Sequence, residues 1–154
     1  MSRKHTRRKH YSLVNPIQHA IAGAAITDAA TLDKLRLREL SAIEAFRAGR
    51  ATKQEWMDIA DFLNISETLS RDGIGPEALE PCQRAQDALG EAHRRLHEHG
   101  RLAMTGPELQ ALREAYEYAD LQRISISRQR YEQAIAKTAA RIRSAHPSVK
   151  VCMN

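Results

Sequence analysis

The sequence predicts an all-α fold, a single bundle of about five helices behind a disordered basic N-terminal arm. Three observations point there. Between Pro107 and Pro147 neither glycine nor proline occurs, and apolar residues recur at helical steps: Leu109, Leu112, Tyr116 and Ala119, then Tyr131, Ile135, Thr138 and Ile142. Two capping-box patterns, Thr52 with Glu55 and Thr105 with Glu108, mark helix starts. Aromatic residues make up only 5% of a chain that is 42% hydrophobic, so leucine, isoleucine and alanine must fill the interior, which suits helices better than sheets. At 154 residues the chain fits one domain able to bury a core without disulfides or metal. The expected division is a flexible basic arm over 1–12, a helical domain over 13–145 and a loose tail over 146–154.

Taken in order, residues 1–11 lack apolar periodicity and repel one another, as a disordered segment does. Pro16 then suits the first turn of a short helix with Ile17, Ala20, Ile21 and Ala24 on one small-residue face. Thr27 or Asp28 can cap the next helix, whose buried side is Leu32, Leu35, Ile43 and Phe46 and whose stop is Gly49. Its polar side, with Lys34, Arg36, Arg38, Glu39, Glu44 and Arg47, reads as a solvated face of mixed sign. After Thr52 come Trp56, Ile59, Ala60 and Leu63 on one face, with the only tryptophan as a core anchor. Gly75-Pro76-Glu77 restarts a helix that buries Cys82, Ala85, Leu89, Ala92 and Leu96 and ends at Gly100. The stretch 105–144 reads as one long helix or two, with the break at Ile124–Ser127, where β-branched residues have poor helix propensity and Ser127 can cap a new start.

Charge is distributed unevenly. The net charge is +5, and residues 1–11 alone hold Arg3, Lys4, Arg7, Arg8 and Lys9 with no acid, so the rest of the chain is balanced. Such an arm binds nucleic acid by displacing counterions from phosphates, and Tyr11 can stack on a base. It supplies a salt-dependent grip without sequence specificity. A second cationic stripe consists of Arg130, Lys137 and Arg141, which fall together at 100° per residue; Arg123 joins them if the helix is continuous. That stripe reads either as a further phosphate-facing surface or as the partner of the acidic segment 52–80, which holds seven acids and two bases.

Chemistry-bearing motifs are sparse. No phosphate-binding glycine loop, nucleophile elbow, His-Glu-x-x-His or paired-cysteine zinc pattern occurs, so no enzyme, cofactor or metal is expected. His93 and His97, four apart, share a helix side as a metal site would require, and a metal-using enzyme built on them is the third reading. Residues 59–71, with Ala60, Ile65-Ser66 and Ser70-Arg71, resemble the helix-turn-helix of bacterial repressors. Asn64 stands where that motif has glycine, the segment after Ser66 is one residue short, and Glu67 and Asp72 would repel phosphates. The alternative is one helix running to about Leu69 and stopping before Gly73. Cys82 and Cys152 read as two reduced thiols in a cytosol. Asn15, Pro16, Gln18 and His19 interrupt the apolar run that a secretory signal needs, and no run is long enough to span a membrane.

The words Asn15-Pro16-Ile17-Gln18-His19-Ala20-Ile21-Ala22-Gly23-Ala24, Leu32-Asp33-Lys34-Leu35-Arg36-Leu37-Arg38-Glu39-Leu40 and Asp120-Leu121-Gln122-Arg123-Ile124-Ser125-Ile126-Ser127-Arg128 resemble a group of uncharacterised small proteins of phages, prophages and mobile elements in β-proteobacteria. The resemblance implies a bacterial cytoplasm and an accessory role in a mobile element's life, and it carries over no functional residue. The expected function is binding, to nucleic acid through the arm. The alternative is a protein–protein effector that binds and inhibits a host defence or regulatory complex, the partner being a host or phage protein. A homodimer is also open to a long helix that carries Tyr116, Tyr131 and Ile135.

Overall fold

The computed structural model describes residues 27–145; the arm, the short helix expected after Pro16 and the tail lie outside them. The described residues form five α-helices and one 3-10 turn, with no strand. Helix α1 is Ala29–Arg47, α2 Lys53–Arg71, α3 Leu79–His99, α4 Gly106–Ile124 and α5 Arg128–Ser144, and the 3-10 turn Pro76–Ala78 leads into α3.

The helix starts are where the capping chemistry puts them. Asp28 caps α1, its carboxylate accepting the Thr31 N–H at 3.0 Å. Both capping boxes close: Glu55 accepts the Thr52 N–H at 2.7 Å and Glu108 accepts the Thr105 N–H at 2.8 Å. Gly100, at φ 72°, ends α3 in the left-handed conformation that glycine adopts without strain. The 105–144 stretch is two helices, parted at Ser125, with Ser127 accepting the Arg130 N–H at 3.1 Å to start α5.

Helix α2 is the element on which the others pack: α1, α3, α4 and α5 all rest on it. Its Trp56, Ile59, Phe62 and Leu63 are buried among Ala42, Ile43 and Phe46 of α1, Cys82, Ala85, Leu89 and Ala92 of α3, and Leu112 and Ala115 of α4. Trp56 is an anchor in the plain sense, its indole N–H donating to the Leu89 carbonyl at 3.0 Å. No turn interrupts α2 at Asn64, so the resemblance to a helix-turn-helix stops at the sequence. Asn64 is buried inside the helix and accepts a hydrogen bond from Gln86 at 3.2 Å, and the Thr68 and Ser70 hydroxyls donate back to the carbonyls of Asn64 and Ser66.

Two expectations about charge and one about packing need correction. Glu39 does not sit on a solvated face, and Arg123 does not extend the α5 stripe. Each is 2% exposed, and they form a two-pronged ion pair at 2.8 and 2.9 Å that ties α1 to α4. Arg123 also donates to Asp120 at 2.9 Å, and Asp120 accepts from Arg36 at 2.8 Å, so four charges are shared across one seam. On α5 the residues buried against α2 are Ala134 and Thr138, whereas Ile135 is 43% exposed. The apolar face expected through Tyr131, Ile135 and Ile142 is therefore turned partly away from the core.

Candidate functional site

Six of the residues expected to meet phosphates, Arg3, Lys4, Arg7, Arg8, Lys9 and Tyr11, lie outside the described residues. The other three sit on α5, where each meets a carboxylate of the acidic segment. Arg130 donates to Asp72 at 2.8 Å, Lys137 donates to the same carboxylate, and Arg141 lies 3.2 Å from Glu67. Lys137 and Arg130 hold the Asp72 carboxyl below its ordinary pKa. Burial works against the charge on Glu67, but Gln86, Arg71 and Arg141 outweigh it and keep that carboxyl low as well. The stripe thus pairs with the acidic segment, as the second of its two sequence readings expects.

A buried polar seam lies beneath these pairs. The Thr138 hydroxyl donates to Thr68 at 2.7 Å, joining α5 to α2. Gln122 of α4 links α2 to the loop beyond it: its carboxamide oxygen accepts from Ser66 at 2.6 Å, and its amide donates to Ser70 at 2.9 Å and to the Ile74 carbonyl at 2.8 Å. Each side chain is satisfied locally, so the seam reads as structural cement.

Among the described residues a groove of about 420 Å³ lies between the first three turns of α1, the middle of α2 and the length of α5. Phe62 and Ile65 form its base, Thr31, Leu35 and Arg38 one wall, and Tyr131, Ile135 and Ile142 the other. Its lining is mainly apolar, with Asp61, Arg128 and Glu132 adding charge. Burial pushes the Asp61 carboxyl above its ordinary pKa, Arg38 pulling only partly the other way. At the end where α1 begins lies Thr27, 7% exposed, whose hydroxyl has no hydrogen-bond partner among the described residues. The groove was not read from the sequence. Its signal was present, because Tyr131, Ile135 and Ile142 together with Leu35 make more apolar face than α2 alone can cover.

Elsewhere the candidate chemistry does not assemble. His93 and His97 lie edge to face with ring centroids 4.7 Å apart, and the His93 ring also lies 5.4 Å from that of Trp56, tilted by 45°. Among the described residues no group of three or more histidine, cysteine or acidic side chains is placed to hold a metal ion. Burial and the nearby His97 push the His93 pKa down. Cys82 is buried, its thiol donating to the Leu63 carbonyl at 3.0 Å, and burial raises its pKa to about 12, which leaves almost no thiolate to react. No described helix is long and apolar enough to cross a membrane.

Over residues 27–145, fold and site define an all-α bundle with nearly balanced charge and an apolar groove. Compared with protein-family models, with curated proteins and with solved structures, the chain matches none.

Proposed function

We propose that the protein acts by binding rather than by catalysis, and that its partner is a nucleic acid gripped by Arg3, Lys4, Arg7, Arg8 and Lys9 with Tyr11 stacking on a base. One observation carries this reading: residues 27–145 hold 18 basic and 19 acidic groups, so the whole positive excess lies in the sequence outside them. The α5 cations Arg130, Lys137 and Arg141 are taken up by Asp72 and Glu67, which narrows the contact to the arm. With the resemblance to mobile-element proteins, this makes the chain an accessory or regulatory protein of such an element, acting in the bacterial cytoplasm. The test is binding of a labelled oligonucleotide, single- and double-stranded, followed by anisotropy over a range of salt. Binding should weaken steeply as salt rises and vanish on deletion of residues 1–11. Binding that survives the deletion overturns the reading.

A second reading, a protein–protein effector, is favoured by the seam between α1 and α4. There Leu37, 70% exposed, and Leu121, 60% exposed, stand next to the Arg36–Asp120 ion pair, so apolar and charged groups meet at the surface as they do at protein interfaces. A partner that stays bound to the tagged chain after nuclease treatment of a host lysate, and is lost from Leu37→Asp, would favour it over the first.

A further inference from the structure

The near balance of charge over residues 27–145 hides a separation along α2. The segment 47–53, which ends α1 and starts α2, holds Arg47, Arg50 and Lys53 and no acid, and the turn after α3 adds Arg101. At the other end of α2 the segment 72–80 holds Asp72, Glu77 and Glu80 and no base. The two ends are ~28 Å apart, the length of a 19-residue helix. Charges in physiological salt are screened over about 8 Å, so the acids at one end do not cancel the cations at the other.

At the basic end two loops meet. A Cβ on Gly49 would lie 3.3 Å from a guanidinium nitrogen of Arg101, so Arg101 reaches over the loop between α1 and α2. Arg50 is near enough to act on the carboxyls of Glu44 and Glu55, and Lys53 on the His93 imidazole. The acids of this end are already engaged. Glu44 accepts from Arg47 at 2.7 Å, Glu55 closes the cap at Thr52, Glu98 meets Arg94, and Glu108 meets Arg95. Arg50, Lys53 and Arg101 are exposed, and their side chains make no ion pair or hydrogen bond among the described residues. In this they differ from Arg130, Lys137 and Arg141, each of which has a carboxylate beside it. The fold gathers like charges at one end without answering them, an arrangement that a bound polyanion relieves.

We propose that Arg50, Lys53 and Arg101, where the α1–α2 and α3–α4 loops meet, bind backbone phosphates of the nucleic acid that the arm grips. The inference rests on that reading of the arm and adds to it a fixed contact on the folded body. The two arginine forks match phosphate oxygens, and the lysine supplies a point charge. Three such contacts position a strand without reading its bases. They are too few to hold it alone at physiological salt, so the arm supplies most of the affinity and this surface the orientation.

The test is the salt dependence of DNA duplex binding, read by anisotropy, for three proteins: the full chain, the chain lacking residues 1–11, and the full chain with Arg50→Gln, Lys53→Gln and Arg101→Gln. The three side chains have no partners in the fold, so the triple variant should melt where the unaltered chain does. It should bind roughly tenfold or more weakly at low salt, and the slope of log K against log salt should become shallower by about 2 to 3, at about 0.9 per lost phosphate contact. Arg50→Lys with Arg101→Lys keeps the charge and should keep the slope. Unchanged affinity and slope in the triple variant, with binding still abolished by the deletion, overturn this inference and leave the reading of the arm standing. Binding that survives the deletion but weakens in the triple variant overturns the reading of the arm and supports the surface. No binding by the unaltered chain at any salt overturns both. A charge-keeping variant that loses the slope as fully as the triple variant also overturns the inference, because the effect then does not come from charge.

Discussion

At the scale of single residues, the Glu39–Arg123 pair shows how a charge can be part of a core. Burial alone would weaken the proton on Arg123, yet the hydrogen bonds and charge of Glu39 raise its pKa above the ordinary arginine value, so the guanidinium stays charged. Removing one partner strands the other in a low-dielectric site. Glu39→Ala is expected to cost about 3 to 5 kcal/mol in urea unfolding, whereas the double change of Glu39→Leu with Arg123→Met should cost far less because no charge is left behind. None of this was legible in the sequence. Glu39 lies among Lys34, Arg36, Arg38 and Glu44, and a mixed-sign strip looks the same whether it meets water or a partner 84 residues further on. The same holds for Gln122, whose role depends on which helix lies across from it. The α5 cations were legible as far as their sign: the acidic segment 52–80 was named as a partner, and the structure supplies Asp72 and Glu67 as the particular acids.

At the scale of elements, the sequence marked the starts of α1, α2, α4 and α5 through side-chain caps, because a cap depends on neighbours three residues apart, and the approach to α3 through Gly75 and Pro76. The break before α5 and the stops at Gly49 and Gly100 follow from the same local rules. The continuity of α2 through Asn64 follows from helix propensity together with burial, which a motif match does not consult. Packing faces were less legible, and α5 is the example, since its pattern of apolar residues is wide enough to serve two neighbours. Helix α5 is also the least embedded element, held to α2 by Ala134, the Thr138–Thr68 hydrogen bond and its ion pairs. The carboxyls of Asp72 and Glu67 have folded pKa values below their ordinary 3.8 and 4.5, so their contribution is fully present above those values and is lost as the pH falls through the lower folded ones. In acid, α5 should loosen before α2 and α3. Asp72→Asn should reproduce that loosening at neutral pH, seen as faster amide exchange confined to α5.

At the scale of the whole molecule, the fold class and the helix count were legible because periodicity, caps and the scarcity of aromatic residues all agreed. The groove was not, since it exists only once three helices are placed. The body is neutral and stapled internally by its own charges, which leaves the arm as the part whose removal changes the electrostatic character of the protein. The single tryptophan has a practical consequence. Trp56 is 2% exposed and its ring lies 5.4 Å from that of His93, whose imidazole resists protonation at the ordinary value of 6.5. A protonated imidazole beside an indole quenches its emission. Fluorescence should therefore dim with a midpoint below pH 6.5 while far-UV circular dichroism stays constant, and His93→Gln should remove the effect. The molecule carries its own optical acidity gauge at the junction of α2 and α3, able to register changes in that joint without an added dye.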